Sequence, residues 1–373
     1  MADSPMLYWT EQGGDHHALW QSEAGAAPPK RIQIADDRVT ADAAYRLASE
    51  GTALLWRGDF HNARQLLQAL GRRCEVKQRK KPATPAEAFH FHRQAQSHRA
   101  RILGSILVPC DEHYAIPLRR APDVSQACLE AYGAAQGAIV VSLREIQGLI
   151  GAHEWRKKGV EIPALGARIH PYYGVFSPVR GEYLELLAQA PLPSKESAID
   201  VGTGTGVVAA ILARRGIKRV IATDNQARAL ACARANIERL GYAAQVDVVE
   251  ADLFPPGRAH LVVCNPPWVP ARAYSPLEHA VYDPDSRMLR GFLAGLAVHL
   301  EEQGEGWLIL SDLAEHLGLR TREELMSWIE AAGLRVLGRI DTKPLHPRAS
   351  DPNDPLHAAR SAELTSLWRL VKR

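Results

Sequence analysis

From Ser197 onward the apolar positions alternate between two periods. Short apolar runs at Ala198–Val201, Arg219–Thr223, Val246–Glu250, His260–Cys264 and Trp307–Leu310 predict strands. Segments with apolar residues at helical spacing follow or separate them, at Val207–Arg215, Gln226–Leu240, Met288–Leu300 and Arg322–Ala332. Gly216 and Gly241 stop the first two. Strands alternating with helices predict a parallel sheet covered on both faces. Arg335–Ile340 and Leu364–Leu370 have no clear helix between them and are expected to pair antiparallel at one edge. The intervening Asp341–Arg360 is rich in proline, histidine and arginine, and structureless stretches of that length tend to be functional.

The first 160 residues are patterned differently. Residues 1 to about 30 end in Gly25-Ala26-Ala27-Pro28-Pro29 and predict a loosely packed start. Helical spacing then runs from Ala41 to Arg73, with Thr40 or Asp42 as a cap and Phe60–Leu70 as a second stretch. Ala88–Ile106 predicts a further helix. Val108, Ala115, Ile116 and Leu118 suit short strands, and Ala127–Gln136 and Leu143–Lys158 suit more elements. Prolines, glycines and aromatics gather at Gly159–Gly174, where a boundary is expected. The chain therefore divides into an N-terminal accessory domain over 1–160, mixed α/β or mainly α, and a Rossmann-like α/β domain over 161–373.

Composition narrows the class. A chain of 373 residues, 46% hydrophobic and 23% charged, fits two globular domains. Met1–Trp20 is polar and acidic, unlike a signal peptide, and no apolar run is long enough to span a membrane. Five scattered cysteines with no Cys-x-x-Cys pair predict reduced thiols and a cytoplasmic location. The net charge of +3 hides an asymmetry. Residues 61–120 hold twelve Lys/Arg against four acids, +8, so the remainder sums to −5. That excess predicts a polyanion partner, RNA, or equally a solvated basic helix surface. His90, His92 and His98 lack the spacing of a metal site, and no metal is expected.

The chemistry gathers at strand ends. Asp200-Val201-Gly202-Thr203-Gly204-Thr205-Gly206 joins a strand to a helix, where glycines let the backbone approach a ligand and the helix N-terminus favours negative charge. A dinucleotide fingerprint would need glycine at position 207, which is Val207, and no Gly-Lys-Ser/Thr follows to make a P-loop. Asp224 ends the next strand, where a carboxylate can accept from a ribose diol or cap the following helix. Asp252 begins Asp252-Leu253-Phe254, suited to an adenine amine with an apolar side chain on the ring. Asn265-Pro266-Pro267-Trp268 then closes the run Leu261–Cys264. A planar nitrogen is a poor nucleophile, and it is helped when the Asn265 side-chain oxygen and the Pro266 carbonyl accept its two N–H bonds. Trp268 offers a flat face for a base or an amide plane. Read alone, the same tetrapeptide also suits a proline turn closing a strand.

Taken together, these motifs resemble the class I S-adenosylmethionine-dependent methyltransferases that carry an Asn-Pro-Pro-aromatic motif. The resemblance runs from about Gly174 to Trp268 and more loosely to the C-terminus. It implies a seven-stranded domain that binds S-adenosylmethionine through Phe176, Asp200, Gly202, Thr203, Gly204, Gly206, Asp224, Asn225, Asp252, Leu253 and Asn265. Asn265, Pro266 and Trp268 would act at the acceptor. Two subfamilies come near. The HemK-like glutamine methyltransferases of release factors share Gly-Thr-Gly-Thr-Gly but usually carry Tyr at position 268. The ribosomal RNA guanine-N2 methyltransferases share Gly174-Val175-Phe176-Ser177 and the two-domain length but usually carry Phe there. Both substrates stay open: an RNA base amine first, a release-factor glutamine amide second. A non-catalytic RNA-binding protein with a vestigial site is a third reading. Arg180, Glu182, Glu278, His279, Tyr282, Asp283, His346, Arg348, His357 and Arg360 are further candidates for substrate contact.

Overall fold

The computed structural model describes residues 5–75, 82–178, 181–273, 276–345 and 350–373, without the side chains of residues 276 and 277. Internal contacts divide the chain into two compact units. The first is Met1–Pro82 with His90–Glu154, and the second is Ala83–Phe89 with Trp155–Arg373.

The first unit is mixed α/β. Strands β1 (Met6–Glu11), β2 (Gly14–Gln21), β3 (Arg31–Ala35), β4 (Thr52–Trp56), β5 (Ile106–Cys110) and β6 (Ile139–Ser142) form one sheet in the order β1-β2-β6-β5-β4-β3. Its helices are α1 (Ala41–Ser49), α2 (Phe60–Arg73), α4 (Ser125–Tyr132), and parts of α3 (Pro85–Leu103) and α5 (Leu143–Lys158), both of which cross the division. The expected loose start is instead a hairpin. Gln12 and Gly13 take φ of 52° and 79°, the left-handed pair that a two-residue turn requires. Leu7, Ala18 and Trp20 then join the core of the sheet. The outward His16 and His17 on β2 masked that alternation. Ala115–Leu118 forms no strand, and β3, β4 and β6 arise where only helices or loops were expected.

Much of the basic stretch is engaged inside this unit. Asp59 caps α2 through the His61 N–H (2.8 Å) and accepts from Arg119 Nε (2.8 Å) and Arg120 Nε (2.7 Å). Those two guanidiniums, Arg120 foremost, hold its carboxyl well below the usual range. Arg73 pairs with Asp42, and Arg99 donates to the Gly71 carbonyl at 2.6 Å. Arg101 donates to the Ala48 carbonyl at 3.4 Å. Lys77, Arg79, Lys80 and Lys81 lie outside the described residues.

The second unit opens with a ribbon, β7 (Val160–Ile162) and β8 (Ala167–Ile169), in the proline- and glycine-rich stretch expected as a boundary. Its sheet comprises β9 (Ser197–Val201), β10 (Arg219–Asp224), β11 (Val246–Glu250), β12 (Ala259–Cys264), β13 (Leu300–Ser311), β14 (Leu334–Thr342) and β15 (Thr365–Lys372). The seven strands run in the order β11-β10-β9-β12-β13-β15-β14. All are parallel except β15, which inserts antiparallel between β13 and β14. The last two strands thus do pair antiparallel at the edge, with β15 on the inner side.

Both faces are buried, as near-continuous apolar strands require. On one face Ala198, Leu261, Val263, Trp307 and Ile309 meet α6 (Glu182–Gln189), α7 (Val207–Arg214) and Ile237 of α8 (Ala227–Arg239). On the other, Ile199, Val262, Leu308 and Leu310 meet α9 (Arg287–His299) and, past the short α10 (Leu313–His316), α11 (Arg322–Ala331). The expected late loop carries α12 (His357–Ala362), whose Ala359 packs with Leu356, Val269 and Leu313.

Gly306 of β13 shows how closely α9 sits on this sheet. A β-carbon there would overlap Leu296 Cδ2 and Cδ1. Gly306→Ala is therefore expected to lower the unfolding free energy by about 1–3 kcal/mol through overpacking. A shift of the urea midpoint at unchanged slope would report it.

Candidate active site

The chain runs outward from β9 through β10 to β11, then returns to lay β12 on the opposite side of β9. At such a switch point in a doubly wound sheet, the carboxyl ends of the two central strands frame a crevice. Val201 of β9 is the register partner of Cys264 of β12. The next residues along each strand are Gly202 and Asn265, so one pairing brings together the glycine turn and the Asn-Pro-Pro-Trp turn.

The glycine turn is held open by carboxylates. Gly202, Gly204 and Gly206 all have left-handed φ, at 72°, 54° and 80°. Each has a different neighbour. A β-carbon on Gly202 would meet Met288 Cε, and one on Gly206 would meet Ala233 of α8, while one on Gly204 would meet nothing within 4 Å. The Gly204 side of the turn is thus open to a ligand. Asp200 is buried at the base of the turn, where its Oδ2 accepts from Thr203 Oγ1 (2.6 Å) and the Ala209 N–H (3.1 Å). Asp224 reaches across from β10. Its Oδ2 accepts from the Gly204 N–H and its Oδ1 from the Gln226 N–H, each at 3.0 Å. It therefore clasps the glycine turn and the start of α8 together. Asn225 is exposed, with its Oδ1 accepting from Gln226 Nε2 at 3.3 Å.

The third strand end spreads its residues over different neighbours. Asp252 is exposed, with Arg287 at 3.8 Å. Leu253 adopts φ of 73°, and its carbonyl accepts from Thr223 Oγ1 at 2.6 Å. Phe254 lies over Gly295 of α9, stacked on His299 with ring centroids 4.3 Å apart. Its ring is occupied there, which leaves Leu253 as the apolar residue beside Asp252. Phe176 is half-buried, next to Val175, which packs on Ala229 and Cys232 of α8.

At the end of β12, Asn265 is fixed by aromatic neighbours. Trp268 Nε1 donates to Asn265 Oδ1 at 2.9 Å, across the two prolines. Tyr183, buried in the first turn of α6, pairs its hydroxyl with the Asn265 side chain and meets Trp268 edge-on at 6.3 Å. Burial pushes the Tyr183 phenol well up, so it stays protonated. Trp268 is half-buried and touches three apolar clusters, including Val269, Tyr282 and Leu313. Much of its surface is thus spent on packing.

Neither Tyr183 nor the indole–amide bond was legible in the sequence, since both are tertiary contacts. Asp283 was a candidate for substrate contact. It caps α9 instead, accepting from the Met288 N–H (3.0 Å) and the Leu289 N–H (3.1 Å). That cap holds Asp285 and Ser286 at φ of 56° and 52°, strained for residues with side chains, at about 1–3 kcal/mol each. Tyr282 packs against Phe89 at 6.4 Å. Glu182 is buried, and its Oε1 has no hydrogen-bond partner among the described residues. His357 and Arg360 lie on α12, where Arg360 faces Asp354 at 3.3 Å. Arg180, His346 and Arg348 lie outside the described residues, and Glu278 and His279 lie in a short turn, 276–280.

Residues 168–320, within the second unit, match the model of the family described as methyltransferase small domain. A ribosomal protein L11 methyltransferase of Pelotomaculum thermopropionicum is 33% identical over 135 residues, covering 36% of this chain and 42% of that protein. A release factor glutamine methyltransferase of Mycolicibacterium smegmatis is 40% identical over 134 residues, 34% of this chain and 46% of that one. The chain thus spans under half the length of these curated relatives. A methyltransferase structure from Pyrococcus furiosus is similar over 62% of this chain and 99% of that one, at 16% identity and a TM-score of 0.41. Among the described residues no helix is long and apolar enough to cross a membrane.

Asp200 carries a pH signature. Burial, with the like charge of Asp224, pushes its carboxyl up to about 7 against the bonds from Thr203 and Ala209. The folded state therefore holds a proton that the unfolded chain has already lost. The resulting stability is present at acid pH and disappears as pH rises through about 7. Asp200→Asn imitates the protonated group. It is expected to flatten the fall in unfolding free energy between about pH 4 and about pH 7, and an unchanged slope would refute this assignment.

Proposed function

We propose that this protein is an S-adenosylmethionine-dependent N-methyltransferase whose acceptor is the side-chain amide of a glutamine in a protein. The observation that carries the reading is the β9–β12 adjacency, which sets a glycine turn open at Gly204 beside Asn265 at the switch point.

The residues present fit the cofactor. Asp224 uses one bond per carboxylate oxygen on backbone N–H groups, which leaves each oxygen a lone pair for a ribose hydroxyl. Leu253 supplies an apolar contact beside Asp252 for an adenine ring, with Phe176 on the α8 side. When bound, S-adenosylmethionine supplies an electrophilic methyl group on a positively charged sulfur. The protein's own contribution is positioning. Asn265 Oδ1 keeps one acceptor site beyond its bond from Trp268, and the Pro266 carbonyl provides a second, so both N–H bonds of an amide can be held. The nitrogen lone pair is then aimed rather than left conjugated. Held geometry of this kind lowers the barrier without a strong base.

Three features favour a protein amide over an RNA base. The relatives named above are protein methyltransferases by name. Trp268 is drawn into packing and an indole–amide bond, which suits a small planar acceptor more than a stacked base. Arg73, Arg99, Arg101, Arg119 and Arg120 of the basic stretch are engaged within their own unit. A vestigial site has no need of an intact Asn265 held by two aromatics.

Asp224→Ala is expected to abolish S-adenosylmethionine binding in calorimetry, and unchanged binding would count against the site. Asn265→Ala should leave that binding intact and lower methyl transfer about a hundredfold or more. Trp268→Phe removes the donor to Asn265 and should lower transfer roughly tenfold with little change in cofactor affinity. Incubation with tritiated methyl donor and a cell extract decides the acceptor. Label lost to protease supports the glutamine reading, and label lost to ribonuclease replaces it with RNA.

A further inference from the structure

Two adjacent non-glycine residues of the second unit, Asp285 and Ser286, adopt left-handed backbone, with φ of 56° and 52°. Such conformations are unfavourable for residues with side chains and persist only where surrounding bonds impose them. Here those bonds meet at one residue. Asp283 is buried, at 5% exposure. Its Oδ1 accepts from the Met288 N–H at 3.0 Å and its Oδ2 from the Leu289 N–H at 3.1 Å. Its carbonyl accepts from the Ser286 N–H at 2.9 Å. A helix cap ordinarily needs one side-chain oxygen and no strained residues, so capping alone does not account for the arrangement.

Both ends of this loop lead to the site. Upstream, the Asp283 N–H donates to the Val269 carbonyl at 2.9 Å, and the Val269 N–H donates to the Val281 carbonyl at 3.2 Å. The resulting bridge between Val269 and Tyr282 ties the loop to the residue directly after Trp268. Downstream, Met288 reaches the glycine turn. Its Cε lies where a β-carbon on Gly202 would clash, so the thioether rests against the bare face of that glycine. Leu289, the other residue held by the carboxylate, is buried in the cluster that contains Cys264, the last residue of β12. Asp283 is thus bonded through its backbone to one turn and through its side chain to the helix that touches the other.

We propose that Asp283 is a positioning residue for methyl transfer, fixing the separation of the Asn-Pro-Pro-Trp turn from the glycine turn through Val269 on one side and Met288 on the other. The proposal rests on the reading of this unit as a methyltransferase. The carboxylate oxygens are directed at backbone N–H groups, so Asp283 acts on spacing rather than on substrate. Transfer between two held groups is sensitive to such spacing.

The test uses the whole chain, isotope-labelled for NMR at the methionine methyl carbons and the tryptophan indole nitrogens. Only four methionines contribute signals, and Met288→Leu identifies the relevant one. Trp268→Phe identifies the Trp268 indole signal. Asp283→Asn keeps the size and one capping oxygen but turns an amide NH2 toward a backbone N–H. It is expected to fold and to shift both the Met288 and the Trp268 signals. It should also lower kcat for transfer from tritiated S-adenosylmethionine to cell-extract protein at least about tenfold, with KM for the donor changed less than about threefold. Asp283→Ala should act in the same direction more strongly. Thr321→Ala serves as the comparison, since it removes the capping box of α11, which packs on the same apolar cluster as α9. It is expected to lower the melting temperature and leave both signals and kcat unchanged. If the Asp283 variants behave like Thr321→Ala, the cap is merely structural and the proposal is overturned. A shift of the Met288 signal without the Trp268 signal also overturns it, because the two turns are then not coupled through Asp283. Failure of the methyltransferase reading would appear separately. The unsubstituted chain would neither bind S-adenosylmethionine in calorimetry nor transfer methyl, while both signals still moved in Asp283→Asn, supporting the coupling of the turns.

Discussion

The parallel pairing of β9 with β12 is the constraint on which the site depends. It joins two turns from distant parts of the sequence at one crevice, with Val201 opposite Cys264. The pairing alone would not suffice, because the turn after β9 contains three left-handed glycines, a conformation with a large entropic penalty. Two carboxylates hold it. Asp200 anchors it from below through Thr203 and the N-terminus of α7, and Asp224 ties Gly204 to the strand next door. A carboxylate at the start of α7 also meets the positive end of that helix. The glycine turn is therefore pre-organised by bonds within the fold.

The Asn-Pro-Pro-Trp turn follows a similar logic with aromatic residues. Asn265 would be free to rotate if only the prolines bounded it. The Trp268 indole N–H and the Tyr183 hydroxyl restrict it from two sides. A phenyl has no donor, and the indole N–H spans the three residues back to Asn265. The same side chain joins the apolar clusters on either side of the turn, so holding the Asn265 amide and closing the core are tasks of one residue.

Polar groups in the second unit are mostly committed in pairs, which makes the exceptions informative. Asp283 caps α9 through two strained residues, and that helix presents Met288 to Gly202. Glu305, buried in β13, is matched by Arg369 at 2.6 Å. Against that background, Glu182 Oε1, next in sequence to Tyr183, is one of several buried side-chain atoms without a hydrogen-bond partner among the described residues. The first unit shows the opposite balance. Several arginines from a stretch with strong formal charge bond to carbonyls and carboxylates of that unit, although Arg119 and Arg120 stay largely exposed.

The sequence by itself determined the strands of the seven-stranded sheet and the helices α7, α8, α9 and α11, though β13 starts seven residues earlier than its apolar run and α6 was not legible. Its strands are buried on both faces and its helices on one, so apolar period and turn glycines suffice to find them. It also determined the order of the glycine turn, Asp224, Asp252 and Asn265, because strand ends in such a sheet carry the ligand contacts. Only the tertiary structure decided the rest. The N-terminal hairpin was hidden by polar outward residues, and β3, β4 and β6 are too short for periodicity to separate from helix ends. Tyr183 against Asn265, the occupied ring of Phe254 and Asp283 as a helix cap all depend on which side chains meet across the fold. Periodicity reports which face of an element is buried, not what it meets there. Charge counted along a chain likewise omits the partners that folding supplies.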